Sequence, residues 1–312
     1  MFLTVTPNTA LDKVIFIDEW TPGKPIRTND YIFCVGGKGL DASVALRRLG
    51  QPTTGLHFTA GKTGQELLEL LIAYGITPEP VWVDGETRLA HVIAERLHNR
   101  HTHVITGSLL VREEHTAQML ARLKELLPGA SWLVAGGTLA PGVPGDFYAL
   151  ILDAASQAGA PSLVDSSGPP VLACLAKPPE ILKMNLDEFF HTFTVEAANM
   201  EQLKQLAWQV YREHNLKALV ITCGADGLLG YTGEGYFHVR PPRQAVRSAA
   251  GAGDAASAAL TWRLAQGDPW RDALRWAGAV SAASVLTTGT ADLHMEDAVR
   301  IYPEVRVEVI QI

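Results

Sequence analysis

The chain has 312 residues, 47% hydrophobic and 19% charged, an ordinary globular composition with enough apolar mass for one large domain or two small ones. A formal net charge of −7 argues against a general nucleic-acid binder, whose partner would call for a basic surface, but leaves room for a small anionic ligand held by a few local cations. No run approaches the ~20 apolar residues that span a bilayer, and no basic region precedes a long apolar stretch at the N-terminus, so neither a membrane partner nor a secretion signal is expected.

Short β-branched or apolar runs at 2–6, 54–59, 131–135, 162–165, 180–184 and 218–222 predict strands, with helical patterns between them. A helix over 40–49 stops at Gly50, and one over 65–74 stops at Gly75. Over 200–211, Leu203, Leu206, Ala207, Val210 and Tyr211 fall on one helical face. A further helix over 255–264 follows a late glycine-rich loop. Such alternation implies a mainly parallel sheet with helices on both faces. Two pairs of runs, 14–18 with 31–34 and 91–97 with 102–106, have no helix between them and read as a small antiparallel lid. The second pair is joined by the turn-like His98-Asn99-Arg100-His101. Alternation along these strands scatters His98, His101 and His103, which argues against a zinc site. Cys34, Cys174 and Cys223 are far apart and set in apolar stretches, so we expect buried thiols of a reducing, cytoplasmic compartment.

Two glycine-rich stretches precede helices, Gly36-Gly37-Lys38-Gly39 and Gly251-Ala252-Gly253-Asp254. Neither opens the first strand–helix–strand unit as a dinucleotide fingerprint would. Lys38 is followed by Gly and Leu rather than Ser or Thr, which excludes a P-loop. Tight turns alone would explain either stretch. The second says more, because Asp254 falls in the first turn of its helix, where free amides favour an anion. Amides there could hold a transferring phosphoryl group while the carboxylate takes a hydroxyl proton, and they should keep the Asp254 pKa low.

Ala250-Gly251-Ala252-Gly253-Asp254, taken with Gly36-Gly37-Lys38-Gly39, resembles the paired signatures of the PfkB (ribokinase-like) carbohydrate kinases. The resemblance runs in order along nearly the whole chain and is nearest the phosphosugar branch, 1-phosphofructokinase and tagatose-6-phosphate kinase. It is carried further by Thr6-Pro7-Asn8-Thr9-Ala10-Leu11-Asp12, Gly137-Thr138-Leu139-Ala140-Pro141-Gly142, Asp165-Ser166-Ser167-Gly168, Lys183-Met184-Asn185-Leu186-Asp187-Glu188 and Thr222-Cys223-Gly224-Ala225-Asp226-Gly227. It implies one ribokinase-like domain over 1–312, doubly wound α/β, with lid strands from about 13–35 and 88–106.

The resemblance also implies roles. Asp254 would be the catalytic base, with Gly251, Ala252 and Gly253 forming the anion loop. Asp12 would accept bonds from sugar hydroxyls, and Gly36 and Gly37 would let the backbone approach the sugar. Lys24, Arg27 and Arg88 are candidates for a phosphate already on the substrate, with Thr138 nearby. Lys183 would reach the ATP phosphates, and Asn185 and Glu188 would organise Mg²⁺, largely through water. Thr222, Gly224 and Gly227 would lie near the nucleotide, with 277–283 and 288–290 on the adenine side. ATP is the expected co-substrate, a monovalent cation a possible activator, and a homodimer through the lid the expected assembly. The chain departs from the family at Asp41 and Ala90, where Asn is usual, and at Ala249, where Thr is frequent. A kinase of an unphosphorylated sugar or nucleoside, and a sugar-phosphate-binding regulator without turnover, are the two alternatives.

Overall fold

The computed structural model describes residues 1–98 and 100–311. The strands are β1 (Phe2–Thr6), β2 (Ala10–Ile17), β3 (Tyr31–Gly36), β4 (Thr53–Thr59), β5 (Thr77–Trp82), β6 (Asp84–Gly85), β7 (Arg88–Glu95) and β8 (Arg100–Thr106). They continue with β9 (Leu109–Leu110), β10 (Trp132–Gly136), β11 (Ser162–Asp165), β12 (Ile181–Asn185), β13 (Ala218–Thr222), β14 (Leu228–Thr232), β15 (Gly235–Arg240) and β16 (Arg306–Val309). The helices are α1 (Lys38–Arg48), α2 (Gly61–Ala73), α3 (Glu113–Leu126), α4 (Phe147–Gln157) and α5 (Pro169–Leu172). After these come α6 (Leu186–Phe193), α7 (Met200–Glu213), α8 (Ala252–Ala265), α9 (Trp270–Ser284) and α10 (Met295–Ile301).

Ten strands form the main sheet in the order β16-β15-β14-β13-β12-β11-β10-β1-β4-β5, and the pairs from β13 through to β5 are parallel. These strands read as continuous apolar runs because both faces are covered. In β1, Phe2 packs with α1, α8 and α9, whereas Leu3 and Val5 turn to the layer of α3, α4 and α7. The chain steps from β1 to β4 on one side and from β10 to β11 on the other, so the strand order reverses between β1 and β10. In open sheets of this kind, ligands bind at that crevice, beyond the carboxyl ends of the strands.

The lid is a separate sheet in the order β3-β2-β7-β8. It is mixed rather than wholly antiparallel, because β2 runs parallel to β7. The expected tip at 98–101 includes Asn99, which lies outside the described residues. The antiparallel margin β14-β15-β16 was not expected from the apolar pattern; its first hairpin turns through Gly233 and Glu234. Among the described residues, no helix is long and apolar enough to cross a membrane.

Helix α1 meets β1 closely because Gly39 has no side chain. A Cβ there would press on Thr6 Oγ1 and lie 2.5 Å from Val5 O, while Leu40 N–H donates to the same Thr6 hydroxyl at 2.8 Å. Backbone atoms cannot yield as a flexible side chain would. Gly39→Ala is therefore expected to lower stability by roughly 1–3 kcal/mol, read as a reduced urea midpoint; an unchanged midpoint would show that α1 can lift away freely.

Candidate active site

At the start of α8, Gly251 is the N-cap residue with φ +76°, and a Cβ there would collide with the backbone nitrogen of Ala291. Only glycine tolerates both constraints. No side chain caps this helix. Ala252 N–H makes a long bond to Ala249 O (3.4 Å) and Ala255 N–H a good one to Gly251 O (2.8 Å). Among the described residues, the amides of Gly253 and Asp254 meet no acceptor, leaving two donors at the positive end of a helix. They border a cleft of about 630 Å³ that also contains Lys38, Asp165, Lys183, Asn185 and Glu188.

The Asp254 carboxyl is buried and, among the described residues, makes no hydrogen bond. Burial, and then the neighbouring Asp165 carboxylate, raise its pKa to about 7, against the opposing pull of Lys183 and Lys38. This overturns the expectation of a low pKa. The loop amides belong to the same turn as Asp254 but do not bond its carboxyl, so desolvation prevails.

Beneath the loop lies an ion-pair chain. Lys183 Nζ donates to Asp165 Oδ2 at 2.6 Å, and Lys38 Nζ donates to Asp165 Oδ1 at 2.8 Å and Glu188 Oε1 at 2.6 Å. Ser257 Oγ–H of α8 also donates to Asp165 Oδ2, at 3.2 Å. Although burial opposes it, the two lysines hold Asp165 well below the usual carboxylate range, and its charge together with that of Glu188 lifts Lys38 above the usual lysine range. Lys183 lies under the anion loop, its Nζ 3.3 Å from where a Cβ on Gly253 would be. Its side chain is only 2% exposed, against 26% for Lys38, so Lys38 presents the more accessible ammonium to the cleft.

At the part of the cleft expected to face the nucleotide, Asn185 caps α6 through Glu188 N–H to Asn185 Oδ1 (2.9 Å), and Glu188 Oε2 accepts from Asn185 N–H (2.9 Å). This reciprocal box fixes both groups at the mouth of the cleft. Their oxygens are hard donors already engaged by N–H groups, which suits a magnesium ion held through water rather than directly. Thr222 at the end of β13, Gly224 and Gly227 line the same cleft, as do Gly278, Ser281 and Ala282 of α9. The expected adenine-side stretch 288–290 does not line it; Thr288 faces a separate hollow with Asp30 and Arg96.

The sugar-side residues gather next to the cleft at the base of the lid. Asp12 on β2 has Oδ1 2.7 Å from where a Cβ on Gly36 would be. Burial lifts its carboxyl to about 6, moderated by Arg88. Gly37 N–H donates to Asp41 Oδ2 at 3.1 Å. Arg88 at the start of β7 donates to the carbonyls of Asn8 (2.6 Å) and Thr9 (3.2 Å), so part of its fork is spent on the β1–β2 connection. Asn8 Nδ2–H reaches Thr138 Oγ1 at 3.0 Å, across the crevice between β1 and β10. Lys24 and Arg27 are not brought to this group. Both are exposed on the β2–β3 loop, and Arg27 lines a surface hollow with Lys13, Ile26 and Tyr31.

Residues 8–298 match the family described as pfkB family carbohydrate kinase. The chain belongs to that family. Among curated relatives of this pfkB kinase, ATP-dependent 6-phosphofructokinase isozyme 2 of Escherichia coli is 29% identical over 96% of this chain and 97% of its own length. D-tagatose-1-phosphate kinase of Bacillus licheniformis is 28% identical over 95% of this chain and 96% of its own. The crystal structure of phosphofructokinase-2 from Escherichia coli in complex with potassium matches with a TM-score of 0.89 at 27% identity, covering 97% of this chain and 98% of that one.

Two residues central to the pfkB kinase's cleft had no role from sequence reasoning, Lys38 and Asp165. Asp165 ends β11, and an acid at the carboxyl end of a parallel strand is a signal that could have found it. Lys38 was weighed only as a P-loop lysine. The ion-pair geometry predicts unequal costs for removing the two cations. Lys183→Met, which strips a buried partner from Asp165, should destabilise by about 3–5 kcal/mol in denaturant melts, and Lys38→Met by clearly less. Equal losses would show that the two lysines share the burden of Asp165 evenly.

Proposed function

We propose that this pfkB kinase transfers the γ-phosphoryl group of ATP to a hydroxyl of a ketohexose phosphate, giving a bisphosphate, with Asp254 as the base. The observation that carries the reading is the pairing of two unbonded amides, of Gly253 and Asp254, with an unbonded buried carboxyl on the same helical turn. The amides and Lys38 stabilise charge on the transferring phosphoryl group, while Asp254 accepts the proton of the attacking hydroxyl. Mg²⁺ near Asn185 and Glu188 would neutralise nucleotide phosphate charge. Asp12 and Asp41 orient the sugar, and Arg88 with Thr138 meets its phosphate. A swing of the β2–β3 loop would bring Lys24 and Arg27 to the same phosphate.

The relatives' names supply the phosphosugar class, and Arg88 supplies the local cation for it. A kinase of an unphosphorylated sugar is favoured only by Asp41 and Ala90, which leave the pocket without two amides. The lid leaves Tyr31, Phe33 and Val104, which register places on one face, each at least 40% exposed, which supports a dimer closed lid to lid. Light scattering at micromolar concentration should return twice the 33.7 kDa chain mass; a monomer would remove the lid interface from the reading.

The substrate is tested by Mg²⁺-dependent ADP release over fructose 6-phosphate, fructose 1-phosphate, both tagatose phosphates, free fructose, ribose and adenosine, with and without potassium. Turnover of a phosphosugar with Asp254→Asn lowered about 10²–10⁴-fold in kcat is expected. Turnover of an unphosphorylated compound alone would reassign Arg88, and nucleotide and sugar binding without ADP release would make the protein a sensor. Because a base must be ionised to accept a proton, kcat/KM should rise with pH on the acid side, through about 7. A profile flat down to pH 5 would remove Asp254 as the titrating base.

A further inference from the structure

Asp41 lies in the first turn of α1, and its side chain is one of the most buried acids in the chain, the residue being 5% exposed. Oδ2 accepts the Gly37 N–H at 3.1 Å, whereas Oδ1 is buried and, among the described residues, has no hydrogen-bond partner. The charged groups around it do not supply a counterion. Lys38 of the same helix is committed to Asp165 and Glu188, and Arg88 of β7 to the carbonyls of Asn8 and Thr9. The remaining titratable neighbours are Asp12 of β2, Asp254 of α8 and the Cys34 thiol of β3. A carboxylate in this position would be a desolvated anion with a single hydrogen bond, facing two further acids. A carboxylic acid there is nearly satisfied: one oxygen accepts from Gly37, and the other carries a proton with nowhere in the protein to go.

We propose that Asp41 serves as a neutral carboxylic acid, donating from Oδ1–H to an oxygen of the bound sugar and so selecting a ligand that offers an acceptor at that point. The proposal rests on the reading of the group at the base of the lid, beside the cleft, as the sugar site. Burial, followed by Asp254 and Asp12, moves the Asp41 pKa well above the usual carboxylate range, in agreement with this geometry. An amide at the same position would donate without titrating, so replacing amide by acid converts a constant donor into one that is lost on ionisation.

The first test needs no substrate. Difference infrared spectra of the full-length wild-type protein against Asp41→Asn should show the carbonyl stretch of a protonated carboxylic acid at pH 7. A carboxylate signal for Asp41 at pH 7 overturns the proposal, whether or not any sugar is turned over. The second test compares KM for the best acceptor between pH 6.5 and 9 in the wild type and in Asp41→Asn. Asp254 and Asp12 titrate in both proteins, so the ratio of the two KM values reports Asp41 together with its coupling to those two acids. That ratio should climb with pH, approaching roughly tenfold per unit once Asp41 ionises. A ratio flat with pH agrees with the proposal only if the infrared signal of the protonated acid persists to pH 9, and overturns it otherwise; a ratio falling with pH overturns it, because it would mean a carboxylate pairing with a cationic substrate. If no acceptor is turned over, the phosphosugar reading fails and the infrared result alone decides this one.

Discussion

The structure depends on one buried carboxylate. Asp165 ends β11 almost out of contact with water, and an ion in that position costs several kcal/mol unless it is compensated. Lys183 from the next strand, Lys38 from α1 and Ser257 from α8 converge on its two oxygens. Two neighbouring strands and two helices are thereby tied together at one point at the strand ends. The same charge acts outward: it adds to the burial that keeps Asp254 poised near neutrality, and it holds Lys38 at the edge of the cleft. A group with no direct part in the proposed transfer thus sets the geometry and the electrostatics of those that have one.

The reversal of strand order between β1 and β10 accounts for the position of the cleft, and the lid for its second wall. The chain leaves β1 through Pro7, Asn8 and Thr9 and enters the lid as β2, so Asp12 arrives within six residues of the central sheet. Arg88 binds the carbonyls of that connection, and Asn8 reaches over to Thr138. The proposed sugar side is therefore assembled from the joint between two sheets, whereas the proposed nucleotide side is built on one.

Much of this was legible in the chain itself. The central strands were placed within a residue or so of their observed ends, because burial on both faces leaves an unbroken apolar signature that little else produces. Gly50 and Gly75 marked the ends of α1 and α2 for the same reason in reverse, since both take the positive φ that side chains avoid. The ionisation state of Asp254 was not legible. Adjacency in sequence placed amides beside the residue, but the direction of its carboxyl is a property of packing. The same holds for Lys38, whose partners lie more than a hundred residues away, and for Lys24 and Arg27, since charge on a loop carries no information about where the loop rests. β14 lacks the polar alternation of an exposed antiparallel edge because it is buried throughout; β15, only half buried, alternates along Phe237-His238-Val239-Arg240, a signal that could have found it.

Helices α8 and α9 meet through alanines, among them Ala255, Ala256, Ala258, Ala277, Ala279 and Ala283, none of which exposes any surface. With so little side chain between the backbones, the loop proposed to carry phosphoryl transfer is mounted on a closely packed pair of helices. Asp12 and Ala90, by contrast, are neighbours across β2 and β7, in a sheet separate from the one those helices cover. If the proposed sites hold, the acceptor and the transfer loop are therefore carried on separate parts of the fold, and a substitution that changes one need not touch the other.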